Sequence, residues 1–198
     1  MNTVQLGERN FLNVGCGRNI LPDAINLDSS VLPGVDVVAD LNKCKDEKLP
    51  LPDDSIDEFL LSHVIEHIST PLDLMQELHR IAKPGAVAKI RVPYGSSDDA
   101  FEDPTHVRQY FANSFRFFSQ PAYWRADYNY RGDWEVKSLR LFVNRQGNEG
   151  LPVEEVLLKI NAVRNIVLEM VGELEAVKPL RAPKRELLTQ PKISISLE

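Results

Sequence analysis

Cysteine is scarce in this chain, with only Cys16 and Cys44 among 198 residues. Two thiols cannot build a disulfide framework, which excludes the small disulfide-stapled folds. No apolar run approaches the ~18 residues that a membrane-spanning helix needs. The opening MNTVQLGERN also lacks the basic and then apolar regions of a secretory signal, so a cytoplasmic protein with no membrane partner is expected. Excess positive charge is missing too. Lys and Arg total 23 against 29 Asp and Glu, a formal net charge of -6, which argues against a nucleic-acid partner because phosphate binding needs a basic surface. No internal repeat or low-complexity tract interrupts the sequence.

What is present is an apolar fraction of 43%, enough to bury the core of a single domain over 1–198. Short strand-like runs recur at Phe11 to Val14, Ala24 to Asp28, Val35 to Ala39, Ile56 to Ser62 and Ala86 to Val92, bounded by turn chemistry such as Pro33-Gly34 and Pro84-Gly85. Between Pro71 and Ala82, Leu72, Met75, Leu78 and Ile81 fall at helical spacing, with Thr70 placed as N-cap and Pro71 as first helical residue. Alternating strands and a helix of this kind imply an α/β, Rossmann-like, mostly parallel sheet. The segments Gly17 to Ala24 and Ser29 to Val35 are too short for helical crossovers, which take about 10 to 12 residues. One sheet face should therefore lack its early helices and need another cover.

Three regions follow from this pattern: a core over 10–93, an insert over 94–133 and a C-terminal part over 134–198. The insert and its border carry 11 of the 15 aromatics between Phe101 and Trp134, which reads as a cap over the C-terminal ends of the strands. Trp134 to Val143 and Ile193 to Leu197 alternate well enough to be the last two strands, expected as a meander or an antiparallel pair at the sheet edge. Between them, Val153, Val156, Ile160, Val163, Val167 and Leu174 belong to one helical stripe over 152–177. A long helix there is expected either to pack on its own domain or to pair two copies in a homodimer.

The chemistry begins where the first strand runs into Gly15-Cys16-Gly17, because glycines let backbone approach a ligand without Cβ interference. Asn26-Leu27-Asp28 then ends the second strand with a carboxylate able to accept both hydroxyls of a ribose. Further along come Val38-Ala39-Asp40-Leu41, Leu49-Pro50-Leu51-Pro52-Asp53-Asp54-Ser55-Ile56-Asp57, His63-Val64-Ile65-Glu66-His67-Ile68 and Arg80-Ile81-Ala82-Lys83-Pro84-Gly85. In this order the series resembles the class I S-adenosylmethionine-dependent methyltransferases, in their type-11 branch and its compact relatives with shortened early helices. The resemblance covers Phe11 to Val92 and extends only loosely beyond.

It implies S-adenosylmethionine as cofactor. Gly15, Cys16 and Gly17 would lie along the methionine moiety, Asp28 would hold the ribose diol, and Asp40 with the Leu41 backbone would meet the adenine. Ser62 and His63 would flank the amino group and sulfonium. The donors of the diol and exocyclic amine suit acceptor-only carboxylates. No third glycine follows Gly17, where Arg18-Asn19-Ile20 stand, so a dinucleotide such as NAD is the poorer fit. With little room for a helix after the loop, Arg18 is the candidate countercharge for the cofactor carboxylate. Cys16 is read as a small buried residue rather than a reactive thiol.

Glu102-Asp103-Pro104-Thr105-His106-Val107-Arg108-Gln109-Tyr110-Phe111 resembles a segment lying over the substrate pocket in compact members. His106 is the candidate catalytic base, oriented by Asp103 or Glu102; the alternative is a histidine that only fastens the cap. No metal is expected, since His63 and His67 share a face only if a helix runs through both. Glu66 is available to tie cap to sheet. Arg108, Arg116, Arg125 and Arg131 offer either an anionic or aromatic substrate site or an ordinary charged face. The expected activity is methyl transfer to a small molecule. An aminopropyltransferase using the same pocket, and a non-catalytic cofactor-binding or protein-interaction module, stand as alternatives.

Overall fold

The computed structural model describes residues 5–198. The early apolar runs become β1 (Phe11–Val14), β2 (Ile25–Asp28), β3 (Val37–Val38) and β4 (Ile56–Ser62), followed by α1 (Pro71–Ile81) and β5 (Ala82–Pro93). The cap region contributes only a short helix, α2 (Asp99–Glu102), and two 3₁₀ turns before β6 (Trp134–Val143). The chain closes with α3 (Val153–Ala162), β7 (Val167–Ala176) and β8 (Lys192–Leu197). All eight strands form one sheet in the order β3-β2-β1-β4-β5-β7-β6-β8. Every neighbouring pair is parallel except those made by β7, which runs antiparallel to both β5 and β6.

The expected helix over 152–177 does not exist as one element. Its first half is α3, and after a turn in which Asn165 adopts a φ of 58° its second half is β7. Met170, Leu174 and Ala176 are buried and alternate with partly exposed Val171, Glu173 and Glu175, a period of two that a helical count also matched. The homodimer surface drawn on that helix therefore has no such helix to carry it. A second correction concerns the edge: β6 and β8 pair in parallel register from Ser138 opposite Lys192 to Val143 opposite Leu197, not antiparallel. β5 also begins earlier than the Pro84-Gly85 turn suggested, with a register shift opposite Ile56 and Glu58 absorbing the irregularity.

The shortened crossovers are real, since only turns join β1 to β2 and β2 to β3. Over β4, β5 and β7 the face left without helices is polar. There Glu58, Lys89, Arg91, Glu169 and Glu173 share one face, where Lys89 pairs with Glu173 at 3.7 Å, Arg91 with Glu169, and Glu58 with Arg9 ahead of β1. The opposite face takes Phe59, Leu61, Ala88, Ile90, Val92 and Leu174 into the core. Against it α1 lays Leu74, Met75, Leu78 and Ile81, all buried. Thr70 sits at the N-cap of α1, and Pro71 opens it, but the Thr70 side chain makes no capping bond.

Trp134 locks α1 to the sheet. Its indole Nε1 donates to the Met75 carbonyl at 2.9 Å, and its ring meets Phe59 and His79 edge-on at 5.7 and 5.8 Å. His79 donates from Nε2 to the Val177 carbonyl at 3.1 Å, and burial holds its pKa below the usual imidazole value. It is therefore neutral in the fold while the unfolded chain takes up a proton below about pH 6.5. Stability should be fully present above that pH and decline as pH falls below it. Urea unfolding between pH 7 and 5 should show a shallower decline in His79→Gln than in the parent, and identical slopes would remove His79 as a source.

Candidate active site

The C-terminal ends of the parallel strands meet at one edge, where open α/β sheets bind ligands. Gly15 turns there at a φ of 62°, and a Cβ on it would come within 2.7 Å of Val64 in the loop after β4. Gly17 has a φ of 53°, yet a Cβ there would meet nothing within 4 Å, so the left-handed backbone opens onto free space. The Gly17 amide donates to Asp28 Oδ2 at 2.8 Å while the Ser30 amide donates to Oδ1 at 2.9 Å. Asp28 thus clasps the glycine loop from the end of β2 and stays partly exposed. The Ala39 amide donates to the Asp28 carbonyl at 2.9 Å, which brings Asp40 alongside.

Asp40 is exposed and caps the 3₁₀ turn Leu41–Lys43, accepting from the Asn42 amide at 3.0 Å. As first residue of that turn, Leu41 directs its own amide out of the turn. Cys16 is buried, and burial, followed by the nearby Asp28 charge, pushes its thiol pKa up. Arg18 lies exposed beside it.

Two residues that sequence reasoning passed over hold the loop in place of the missing helix. Asn13 Nδ2 donates to the Asn19 carbonyl and to Asn26 Oδ1, both at 2.9 Å. Asn26 in turn donates from Nδ2 to the Leu21 carbonyl at 2.9 Å, and its Oδ1 accepts from the Leu21 amide at 3.0 Å. Both side chains are buried, where an unpaired amide would be costly. The signal was available: an asparagine inside each of two short apolar strands.

At the end of β4, Ser62 is partly buried and His63 adopts a φ of 55°. The His63 ring lies between two carboxylates, Nε2 3.1 Å from Glu169 and Nδ1 3.4 Å from Glu66. These pairings, Glu169 first, raise its pKa to about 9, so the ring is a cation at neutral pH.

The cap docks on the 3₁₀ turn Ile65–His67 that follows. The Glu66 carbonyl accepts from the Val107 amide at 2.9 Å, and the Tyr110 hydroxyl donates to the Ile65 carbonyl at 3.3 Å. It is the Glu66 backbone, not its carboxylate, that ties cap to sheet. His106 has its side chain 5% exposed, with Nε2 3.8 Å from Asp103 Oδ2 and its ring centroid 4.8 Å from that of His67. Asp103 is thus the carboxylate beside it. Of the four arginines, Arg131 pairs with Asp127 at 2.9 Å and Arg125 lies over Trp124 at 4.3 Å.

Arg108 instead lines a cleft of about 900 Å³ between the start of α1 and the cap, walled by Tyr110, Phe117, Tyr123 and Tyr130. Ser69, also in its wall, donates from its hydroxyl to Asn42 Oδ1 at 2.8 Å. That bond places the cleft beside the Asp40-Leu41 turn.

Residues 12–90 match the model of a methyltransferase domain family. The structure resembles an S-adenosylmethionine-dependent methyltransferase from Archaeoglobus fulgidus with a TM-score of 0.60 at 18% identity, covering 84% of this chain and 86% of that one. A Thermotoga maritima S-adenosylmethionine-dependent methyltransferase, described as a possible histamine N-methyltransferase, gives 0.54 at 14% identity over 87% of this chain and 84% of that one. The YcgJ protein of Bacillus subtilis gives 0.53 at 13% identity over 88% and 94%. At such identities the likeness is one of fold. No curated protein matches the sequence significantly.

Proposed function

We propose that this chain, whose residues 12–90 match a methyltransferase domain family, is a class I S-adenosylmethionine-dependent enzyme that methylates a small molecule held in the aromatic cleft. The observation that carries this reading is the Asp28 clasp. One carboxylate fixes the Gly17 amide and still faces the strand-end edge, beside Asp40 and next to a cleft large enough for a metabolite. Asp28 holds the ribose diol, Asp40 and the Leu41 amide meet the adenine, and Gly15, Cys16 and Gly17 run along the methionine part. Ser62 and His63 form the strand end facing its amino group and sulfonium. The methyl carbon passes from sulfur to the acceptor in one displacement. The electron pair of the broken C–S bond stays on sulfur, and the product is S-adenosylhomocysteine.

The sulfonium is already a strong electrophile, so positioning supplies most of what the protein must provide. His106 handles the proton that the acceptor loses. His106→Ala should therefore lower kcat by up to about 10²-fold without abolishing turnover, the lower end of what general base catalysis contributes. Its cofactor affinity should equal that of the parent. The assay is S-adenosylhomocysteine release across a panel of small hydroxyl and amine acceptors. Turnover by the parent with at least one acceptor supports the reading; tight cofactor binding with none turned over favours a non-catalytic binding module.

A further inference from the structure

Glu66 is 2% exposed, and neither of its carboxylate oxygens has a hydrogen-bond partner. The nearest cation, His63, reaches only toward Oε1, at 3.4 Å, and is shared with Glu169. With His63 shared with Glu169 and no hydrogen bond made, both Glu66 oxygens keep lone pairs free for a further partner, and leaving buried polar atoms unsatisfied is costly. A second buried atom is also unpartnered, His106 Nδ1. One oxygen of Glu66 and one ring nitrogen each of His67 and His106 lie within 4.8 Å of one another.

The surrounding bonds prepare the histidines as ligands. Thr105 Oγ1 donates to Asp103 Oδ1 at 2.5 Å, so towards His67 it acts as an acceptor for Nδ1–H at 3.0 Å. The Thr105 carbonyl accepts from the same nitrogen at 3.2 Å. That fixes the proton on Nδ1 and leaves Nε2 with a free lone pair. Asp103 stands on the Nε2 side of His106, leaving its buried Nδ1 free. Carboxylate or carbonyl partners on the far nitrogen are how proteins orient metal-ligating imidazoles.

We propose that Glu66, His67 and His106 bind one divalent first-row transition ion such as Zn²⁺. Two imidazoles and a carboxylate suit that class, and three protein ligands leave a position open. Bonds of about 2.0–2.2 Å require the three ligand atoms to close to roughly 3.5 Å, a side-chain adjustment around a site already formed. The sequence argued against a metal because no helix joins His63 to His67; the ligands come instead from one turn and a cap segment 39 positions on. Taken with the methyl transfer proposed above, on which this clause rests, the open position would take the acceptor's oxygen or nitrogen. Bound there, the ion would lower the pKa of that group and ease the loss of its proton to water, and His106 would serve that step by holding the ion.

The test uses the full chain without a histidine tag, stripped with chelator and titrated with Co²⁺, read by its visible ligand-field absorption and by calorimetry in the absence of S-adenosylmethionine. One equivalent should saturate the parent. Glu66→Gln and His67→Ala should each weaken binding by more than about 100-fold, beyond the loss typical of outer-shell changes. His67 is only partly buried, so its variant keeps the fold, which circular dichroism checks. No saturable absorption in the parent, or absorption undiminished in both variants, overturns the proposal. Because no cofactor or acceptor is present, that failure leaves the methyl transfer reading standing.

Discussion

Asp133→Ala should destabilise the protein by about 3–5 kcal/mol, the range for breaking a buried ion pair from one side. Asp133 is fully buried, at 0% exposure. Its Oδ1 accepts from the Gln120 amide at 3.1 Å and from Arg181 Nη2 at 2.7 Å, and its Oδ2 accepts from the Arg181 amide and Nε, both at 2.9 Å. One carboxylate therefore joins the cap, the start of β6 and the segment before β8. Its removal leaves a half-buried guanidinium and two amides without their acceptor. For a chain of this size the loss corresponds to roughly 10 °C or more in Tm. Urea unfolding of the parent, Asp133→Ala and Arg181→Ala measures it; a loss below about 1 kcal/mol in Asp133→Ala would mean that the network contributes little.

Asp28→Ala should weaken S-adenosylmethionine binding about 10- to 150-fold, as expected from losing hydrogen bonds to a charged group worth about 1.5–3 kcal/mol. Two effects add here. The diol loses its acceptor, and the Gly17 amide loses the carboxylate that fixes the loop. Asp28→Asn separates them, since its carbonyl oxygen can still accept from Gly17 while the charge is gone. An intermediate affinity for Asn would apportion the effect between the diol and the loop. Parent-like affinity in both variants would take the ribose away from Asp28.

Much of this site was legible in the sequence because it is local. The apolar runs that became β1, β2 and β4 end at or beside the candidate residues Gly15, Asp28 and Ser62, and parallel pairing places those ends side by side. Asp28 and Gly17 are 11 positions apart, and adjacent parallel strands bring them within 2.8 Å. The long C-terminal stripe failed for the opposite reason. Val167, Met170, Val171 and Leu174 fit a 3.6 period, while Met170, Gly172, Leu174 and Ala176 fit the 2.0 period that the fold uses. The glutamates at 169, 173 and 175 mark a strand only once a charged sheet face is known to receive them.

That polar face was itself unforeseen. Missing crossover helices suggested an apolar surface in need of a cover, whereas cross-strand pairs of Lys89, Arg91, Glu169 and Glu173 remove the need. Contacts that depend on how the cap folds back were beyond periodicity altogether. Asp133 with Arg181, and Glu66 with His106, come from segments 48 and 40 positions apart whose members lie outside the strands and α-helices, so no sequence period sets their geometry.

The strand-end edge is proposed as an S-adenosylmethionine site. Calorimetric titration of the parent protein with S-adenosylhomocysteine tests this most directly, with NAD as the competing ligand. The geometry predicts saturable one-to-one binding of S-adenosylhomocysteine and none of NAD. An absence of S-adenosylhomocysteine binding, or tighter binding of NAD, would contradict it.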